Sequence, residues 1–184
     1  MKKIFFLFAA AAAFPLAAQN ADAYSVIKNP ISASKYVEGA VAEADLEKII
    51  AAGIAAPSAR NGQPWKYIIV KNAALLPKTV TDSNIPKGGV SIIVYTAGDG
   101  KSADAALDCG LTVQSMNLAA QALGYGSRIY TGSVAGINAA KADFGIPSNS
   151  SAVAVLRIGK IASRADAVSS ASPRKTTKEL VIYK

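Results

Sequence analysis

The chain of 184 residues contains no histidine. That absence removes Ser-His-Asp and Cys-His catalysis, the usual zinc ligand sets and the commonest general base near neutral pH. Cysteine is almost absent as well. Cys109 stands alone, so no disulfide forms within one chain and the fold rests on its apolar core. Acidic residues are few, 12 against 20 Lys and Arg, for a formal net charge of +8. A basic chain invites a nucleic-acid or anionic-surface reading. The Lys and Arg residues are scattered, however, and only Arg174-Lys175-Thr176-Thr177-Lys178 is locally concentrated. Without a dense stripe interleaved with aromatics, the pattern argues against nucleic acid. An enzyme with this inventory leaves its difficult chemistry to a cofactor.

The N-terminus reads as an export signal. Lys2 and Lys3 precede an apolar run, Ile4 to Leu16, which is too short to span a hydrocarbon layer of about 30 Å. Residues 1–23 are therefore expected to be a signal peptide rather than a membrane anchor. Cleavage after Ala18 or after Ala23 both fit the small-residue rule. The remaining residues, 24–184, suffice for a single domain with its own core, in the periplasm or secreted.

Hydrophobic spacing sets out the elements. Residues 24–40 read as extended or irregular. Leu46, Ile49, Ile50 and Ile54 recur at helical spacing over Glu43–Ala56, with acidic residues in the first turns and Pro57 as the stop. A polar loop, Ser58–Pro64, leads to a strand at Trp65–Val70, and a polar connector of residues 71–89 leads to a second at Val90–Tyr95. Ser102–Leu123 is the longest helical candidate. Its apolar residues cover nearly every face, which predicts burial on all sides, best supplied by a second copy. A short β-like stretch at Arg128–Thr131 follows, then a helix over Ser133–Phe144 with Ser133 as N-cap, closed by Gly145 and Pro147. Ala152–Gly159 is the clearest strand, and Leu180–Tyr183 is a candidate terminal strand. The order suggests an α+β fold with a mixed sheet flanked by helices.

Ala55-Ala56-Pro57-Ser58-Ala59-Arg60-Asn61-Gly62-Gln63-Pro64-Trp65, after a helix and before a strand, resembles the nitroreductase-family signature APSxxNxQPW. Further on, Asp108-Cys109-Gly110, Gln114, Met116-Asn117-Leu118-Ala119-Ala120 and Leu123-Gly124-Tyr125-Gly126-Ser127 are similar to the family's DxGxxxQNMxLAAxxLGLGS stretch. Gly145-Ile146-Pro147 before a strand ending Ile158-Gly159, and Pro173-Arg174-Lys175 near the C-terminus, keep the family's order. The resemblance covers roughly residues 28–184. It implies a mainly antiparallel sheet flanked by helices, an intertwined homodimer, and FMN contacted by both chains at the interface. It also implies reduction of small planar acceptors, nitroaromatics or quinones among them, through flavin N5.

Carried over by position, the resemblance assigns Pro57, Ser58 and Asn61 to the loop that reaches the flavin from the partner subunit. Asn61 both donates and accepts, which suits the ring edge or the ribityl hydroxyls; a loop residue capping its own turn is the plainer reading. Tyr130, Thr131 and Gly132 stand where the family places a backbone N–H near N5. Arg174, with Lys175, fits the C-terminal phosphate-binding arginine. Near the N-terminus the family carries an Arg-x-Ser-x-Arg segment, and here the stretch reads Ile31-Ser32-Ala33-Ser34-Lys35-Tyr36. Ser32 is kept, Ser34 and Lys35 are the remaining polar groups, and both arginines are gone. Each lost charge-assisted hydrogen bond weakens binding by about 1.5–3 kcal/mol. The connector before Val90 is shorter than the family's and lacks its flavin-covering helix. Two functions follow: an FMN-dependent oxidoreductase, or a degenerate non-catalytic flavin- or ligand-binding protein on the same scaffold. Outside the cytoplasm no NAD(P)H pool is at hand, so the electron donor is unknown.

Overall fold

The structure, a computed structural model, describes residues 22–164 and 174–184. The expected export signal therefore falls outside the described residues except for Asp22 and Ala23. Four strands, β1 (Trp65–Val70), β2 (Val90–Ala97), β3 (Gly126–Tyr130) and β4 (Ser150–Gly159), form one sheet in the order β1-β2-β4-β3. All three pairings are antiparallel, so the described residues form an α+β fold without a parallel pair.

Two apolar layers sandwich the sheet because β2 and β4 are apolar at consecutive positions, the mark of strands covered on both faces. Val90, Ile92, Val94, Ala154, Leu156 and Ile158 pack under helices α2 (Glu43–Ile54) and α3 (Ala103–Ala122). Ile93, Val155 and, past a register shift between Val94 and Tyr95, Ala152 face the other way. There they meet the connector, whose 3-10 turn Leu76–Thr79 is buried at Leu76 and Thr79, and the short helices α4 (Val134–Ala139) and α5 (Lys141–Phe144).

Helix α3 buries one stripe, Cys109, Thr112, Val113, Met116, Asn117, Ala120 and Gln121, at the helical repeat. Ser102 caps it by accepting from the Ala105 N–H. The opposite face is not covered within one chain: Leu107 is 63% exposed and Gly110 is exposed. Asp108-Cys109-Gly110 lies in the second turn of α3. At its end Gly124, at φ +85°, reverses the chain.

Three expectations are corrected. Residues 24–40 are not wholly irregular: Ala23–Lys28 is a helix, α1, capped by Asp22, with Val26 buried. The helix expected over Ser133–Phe144 breaks at Ala140, and Ser133 does not cap it. Its hydroxyl donates instead to the Thr79 carbonyl at 2.8 Å, while Asn138 bonds both backbone groups of Ala152 beside the register shift. Leu180–Tyr183 is not a strand in one chain. Thr176 and Glu179 form a reciprocal capping box that starts a short helix, Thr177–Leu180, and its first-turn bonds override the local β composition.

Candidate functional site

Two of the stretches singled out by the sequence meet along one edge of the sheet. β3 is an edge strand, its neighbour β4 on one side. At its start the Ala33 N–H donates to the Ser127 carbonyl at 3.0 Å, laying Ile31–Lys35 beside the strand. Ile31 and Ala33 turn inward, while Ser32 and Lys35 are exposed and Ser34 is half-buried. At the other end Tyr130 is buried, and Thr131 and Gly132 are exposed. The strand between these stretches, Ser127 to Thr131, spans about 13 Å at the usual rise per residue.

The side chains that hold Ile31–Lys35 in place were not anticipated. Gln121, 2% exposed, grips Ile31 from both sides, accepting from its N–H and donating to its carbonyl, each at 3.0 Å. The same amide reaches Asn117 Oδ1 at 3.2 Å and Ser127 Oγ at 3.1 Å, and Ser127 Oγ donates to Asn117 Oδ1 at 2.7 Å. A readable signal existed: Asn117 and Gln121 are polar residues four apart on a helix apolar nearly all round, and such pairs share a face. Tyr36 follows in the same stretch, its N–H donating to Asn84 Oδ1 at 2.8 Å. Its ring carries the Arg157 guanidinium at 4.4 Å. Arg157 is 2% exposed, and its Nε and Nη1 have no hydrogen-bond partner among the described residues. It lies directly across from Arg128 on β3. The charge inside the apolar run of β4 was its signal.

Asp82, from the connector, is the carboxylate of this cluster. It accepts a hydrogen bond from the Tyr130 hydroxyl and pairs with Arg128 at 3.3 Å. Burial, followed by the bond to Asp82, pushes the Tyr130 phenol well above its ordinary value. Burial likewise raises Tyr36. Both phenols are therefore neutral at physiological pH and do not serve as bases; the Tyr130 hydroxyl is bonded to Asp82, whereas that of Tyr36 has no hydrogen-bond partner among the described residues.

The loop Pro57–Asn61 stands at another place, where the C-terminus of α2 meets the second turn of α3. The buried Asp108 accepts the Ala59 N–H at 3.1 and 3.3 Å, and the hydroxyl of Ser58 accepts the Gln63 N–H at 3.0 Å. Arg60, Asn61 and Gln63 all take left-handed backbone angles, φ +51°, +56° and +43°. A non-glycine residue held there costs on the order of 1–3 kcal/mol, and three in one loop need such ties. Asn61 is exposed, and its side-chain carbonyl accepts from Gln63 Nε2 at 3.2 Å. Pro57 is exposed and Trp65 is buried in the core, as expected of a loop held at its far end. Within one chain, then, this loop is a preformed surface element. Arg174 and Lys175 are exposed and follow the undescribed residues 165–173; Pro173 lies outside the described residues.

The donor set suits an elongated anionic ligand along β3: serine hydroxyls and an ammonium at one end, an exposed Gly132 and backbone at the other. Neither Arg128, half-buried, nor Arg157, buried, replaces the two that the N-terminal stretch lacks, since Arg128 is tied to Asp82 and Arg157 is stacked under Tyr36.

A sequence profile described as the Nitroreductase family matches residues 31–84 and 77–160. Among curated relatives, a candidate NADH dehydrogenase/NAD(P)H nitroreductase of Archaeoglobus fulgidus is 32% identical over 101 residues, 50% of this chain and 57% of that protein. The match thus spans less than two thirds of the relative's length. Among solved structures, a candidate nitroreductase in complex with FMN from Desulfovibrio desulfuricans superposes with a TM-score of 0.75 at 24% identity, covering 88% of this chain and 96% of that one. A nitroreductase with bound FMN from Bacteroides fragilis gives 0.70 at 20% identity, covering 89% and 99%.

Proposed function

The chain belongs to the nitroreductase family, and on that premise we propose that it is an FMN-dependent oxidoreductase acting on small planar acceptors such as nitroaromatics or quinones. One observation carries the reading. The two stretches that the family resemblance assigns to the cofactor, far apart in sequence, lie at the two ends of one sheet edge, joined by β3. Its length is comparable with an extended ribityl phosphate arm. Bound there, FMN would supply two-electron hydride chemistry toward the acceptor.

In this reading Ser32, Ser34 and Lys35 receive the phosphate, helped by Arg174 and Lys175 from the tail. Gly132 leaves room for close approach, and the backbone of Tyr130–Gly132 faces the ring. Pro57, Ser58 and Asn61 close the cleft from a second copy. Support for that second copy comes from the exposed strip of α3, where Leu107 and Gly110 stay in water within one chain. Apolar exposure of this kind on a long helix is what a homodimer covers. The electron donor in an exported location would be something other than a cytoplasmic nicotinamide pool.

The test is an absorbance spectrum of the protein purified natively from the exported fraction, with mass spectrometry of the released chromophore. A flavin spectrum and the mass of FMN are expected. Colourless protein that takes up no added FMN would refute the reading. The missing N-terminal arginines, unreplaced by Arg128 or Arg157, favour one alternative, a flavin-binding protein without turnover. A yellow dimer inert to every reductant and acceptor would select it.

A further inference from the structure

We propose that the short connector carrying Thr79–Asn84 is a clamp, in which Asp82 and Asn84 act as positioning residues that fix the two halves of the flavin cleft at one separation. The inference rests on the flavin reading above and adds to it residues outside the resemblance.

The observations come from both ends of β3. On the phosphate side, Asn84 Oδ1 accepts the Tyr36 N–H at 2.8 Å, which anchors the stretch that carries Ser32, Ser34 and Lys35. On the ring side, Asp82 accepts the Tyr130 hydroxyl and pairs with Arg128. Two further contacts reach the same turn. Ser133 Oγ donates to the Thr79 carbonyl at 2.8 Å, and a Cβ placed on Gly132 would stand 3.2 Å from Thr81 Cγ2. Three residues of this turn, Thr79, Asp82 and Asn84, thus bond to Tyr36, Arg128, Tyr130 and Ser133, and Thr81 lies against Gly132. β3 links the two sides through the Ala33 N–H, and Gln121 ties Ile31 to α3. The connector is a second brace that bonds to both sides from the opposite direction in sequence. Its polar atoms are partly buried, where hydrogen bonds hold geometry more firmly than in water.

Asp82 and Asn84 touch different ends, so they are separable by ligand. The experiment measures dissociation constants for FMN and riboflavin, the midpoint potential of bound FMN and the melting temperature. It uses full-length wild type, Asn84→Ala, Asp82→Asn and Tyr130→Phe. Asn84→Ala is expected to weaken FMN tenfold or more while changing riboflavin, which lacks the phosphate, less than threefold. Asp82→Asn is expected to weaken both flavins by a similar factor and to raise the midpoint potential, since a negative charge near the ring is removed. Asp82→Asn also leaves Arg128 and Arg157 opposed without a carboxylate, so a variant that melts early is replaced by Tyr130→Phe. That change keeps the Arg128 pair and breaks only the ring-side bond, and it should weaken both flavins alike.

Equal loss of FMN and riboflavin in Asn84→Ala, tracking melting temperature alone, would overturn the clamp in favour of plain structural support. Wild-type binding of FMN with all variants unchanged would overturn it too. A wild type that takes up neither flavin overturns the flavin reading itself and the clamp with it.

Discussion

Asp108 and Cys109, adjacent on α3, show how neighbouring residues acquire different tasks from their surroundings. Asp108 is tied to the Ala59 N–H, so Asp108→Ala should free the strained loop and cost about 1–3 kcal/mol. Urea unfolding checks this, with Asp108→Asn, which keeps an acceptor, losing less. Cys109 is fully buried, and burial, then the nearby Asp108, pushes its thiol from 9.0 up to about 11. A raised thiol means that the folded state holds its proton longer than the unfolded state. The resulting stability is present in full below pH 9 and is lost as pH rises toward about 11. Melting temperatures across that range should fall more steeply for wild type than for Cys109→Ala, and native protein should resist alkylation at pH 8. The tie at Asp108 was not legible, because the APS loop and the helix are some fifty residues apart and only packing brings a backbone N–H under that carboxyl.

At the scale of elements, α2, α3 and β1 lock together at one small residue. The Thr112 hydroxyl donates to the Gly53 carbonyl at 2.7 Å, and Tyr67 shares a 2.5 Å bond with the same hydroxyl. A Cβ on Gly53 would stand 2.6 Å from Met116 Cγ and 3.0 Å from Thr112 Oγ1. Alanine is the better helix former by about 1 kcal/mol, yet here overpacking wins. Gly53→Ala should destabilise by about 1–3 kcal/mol, read as a lower urea midpoint with an unchanged slope. Continuous apolar runs made β1, β2 and β4 readable, and the spacing of Leu46, Ile49 and Ile50 made α2 readable. The helix Ala23–Lys28 was missed because its support is the packing of Val26 on α3 rather than its own six residues. Tyr125 was likewise read only as part of a helix end. Its hydroxyl accepts the Ala42 N–H at 3.1 Å and donates to Asp45 at 3.0 Å, capping α2 where Ala42 has no side chain to do so.

For the whole molecule, the proposed homodimer turns on the outer face of α3, which a single chain leaves exposed at Leu107 and Gly110. A Cβ placed on Gly110 would meet no neighbouring atom within 4 Å, so a single chain tolerates a larger residue there. Close approach of a second α3 would not. On the homodimer reading, Gly110→Leu should therefore raise the melting temperature of the monomer, leucine being the better helix former by about 1 kcal/mol, while shifting sedimentation from dimer toward monomer and weakening FMN in step. A dimer that persists with full FMN affinity would place the interface elsewhere. Across the sheet, the outer layer is a connector and two short helices, and its polarity hid it: residues 71–89 read as a bare link, although Leu76, Thr79 and Val80 are buried against β2 and β4.

The residue order by itself determined the class of the chain and the identity of most of its elements, since periodicity and capping are local properties of neighbouring side chains. It also named the segments that resemble a flavin site, because a motif is read from adjacent letters. Which of those segments share an edge was decided only in three dimensions. So were the roles of Gln121, Asp82, Asn84 and Arg157. Their distant partners lie 46 to 90 residues away, and further still for Arg157, and are chosen by sheet order and burial. Contacts at such separations depend on how the layers stack, and no local pattern encodes that.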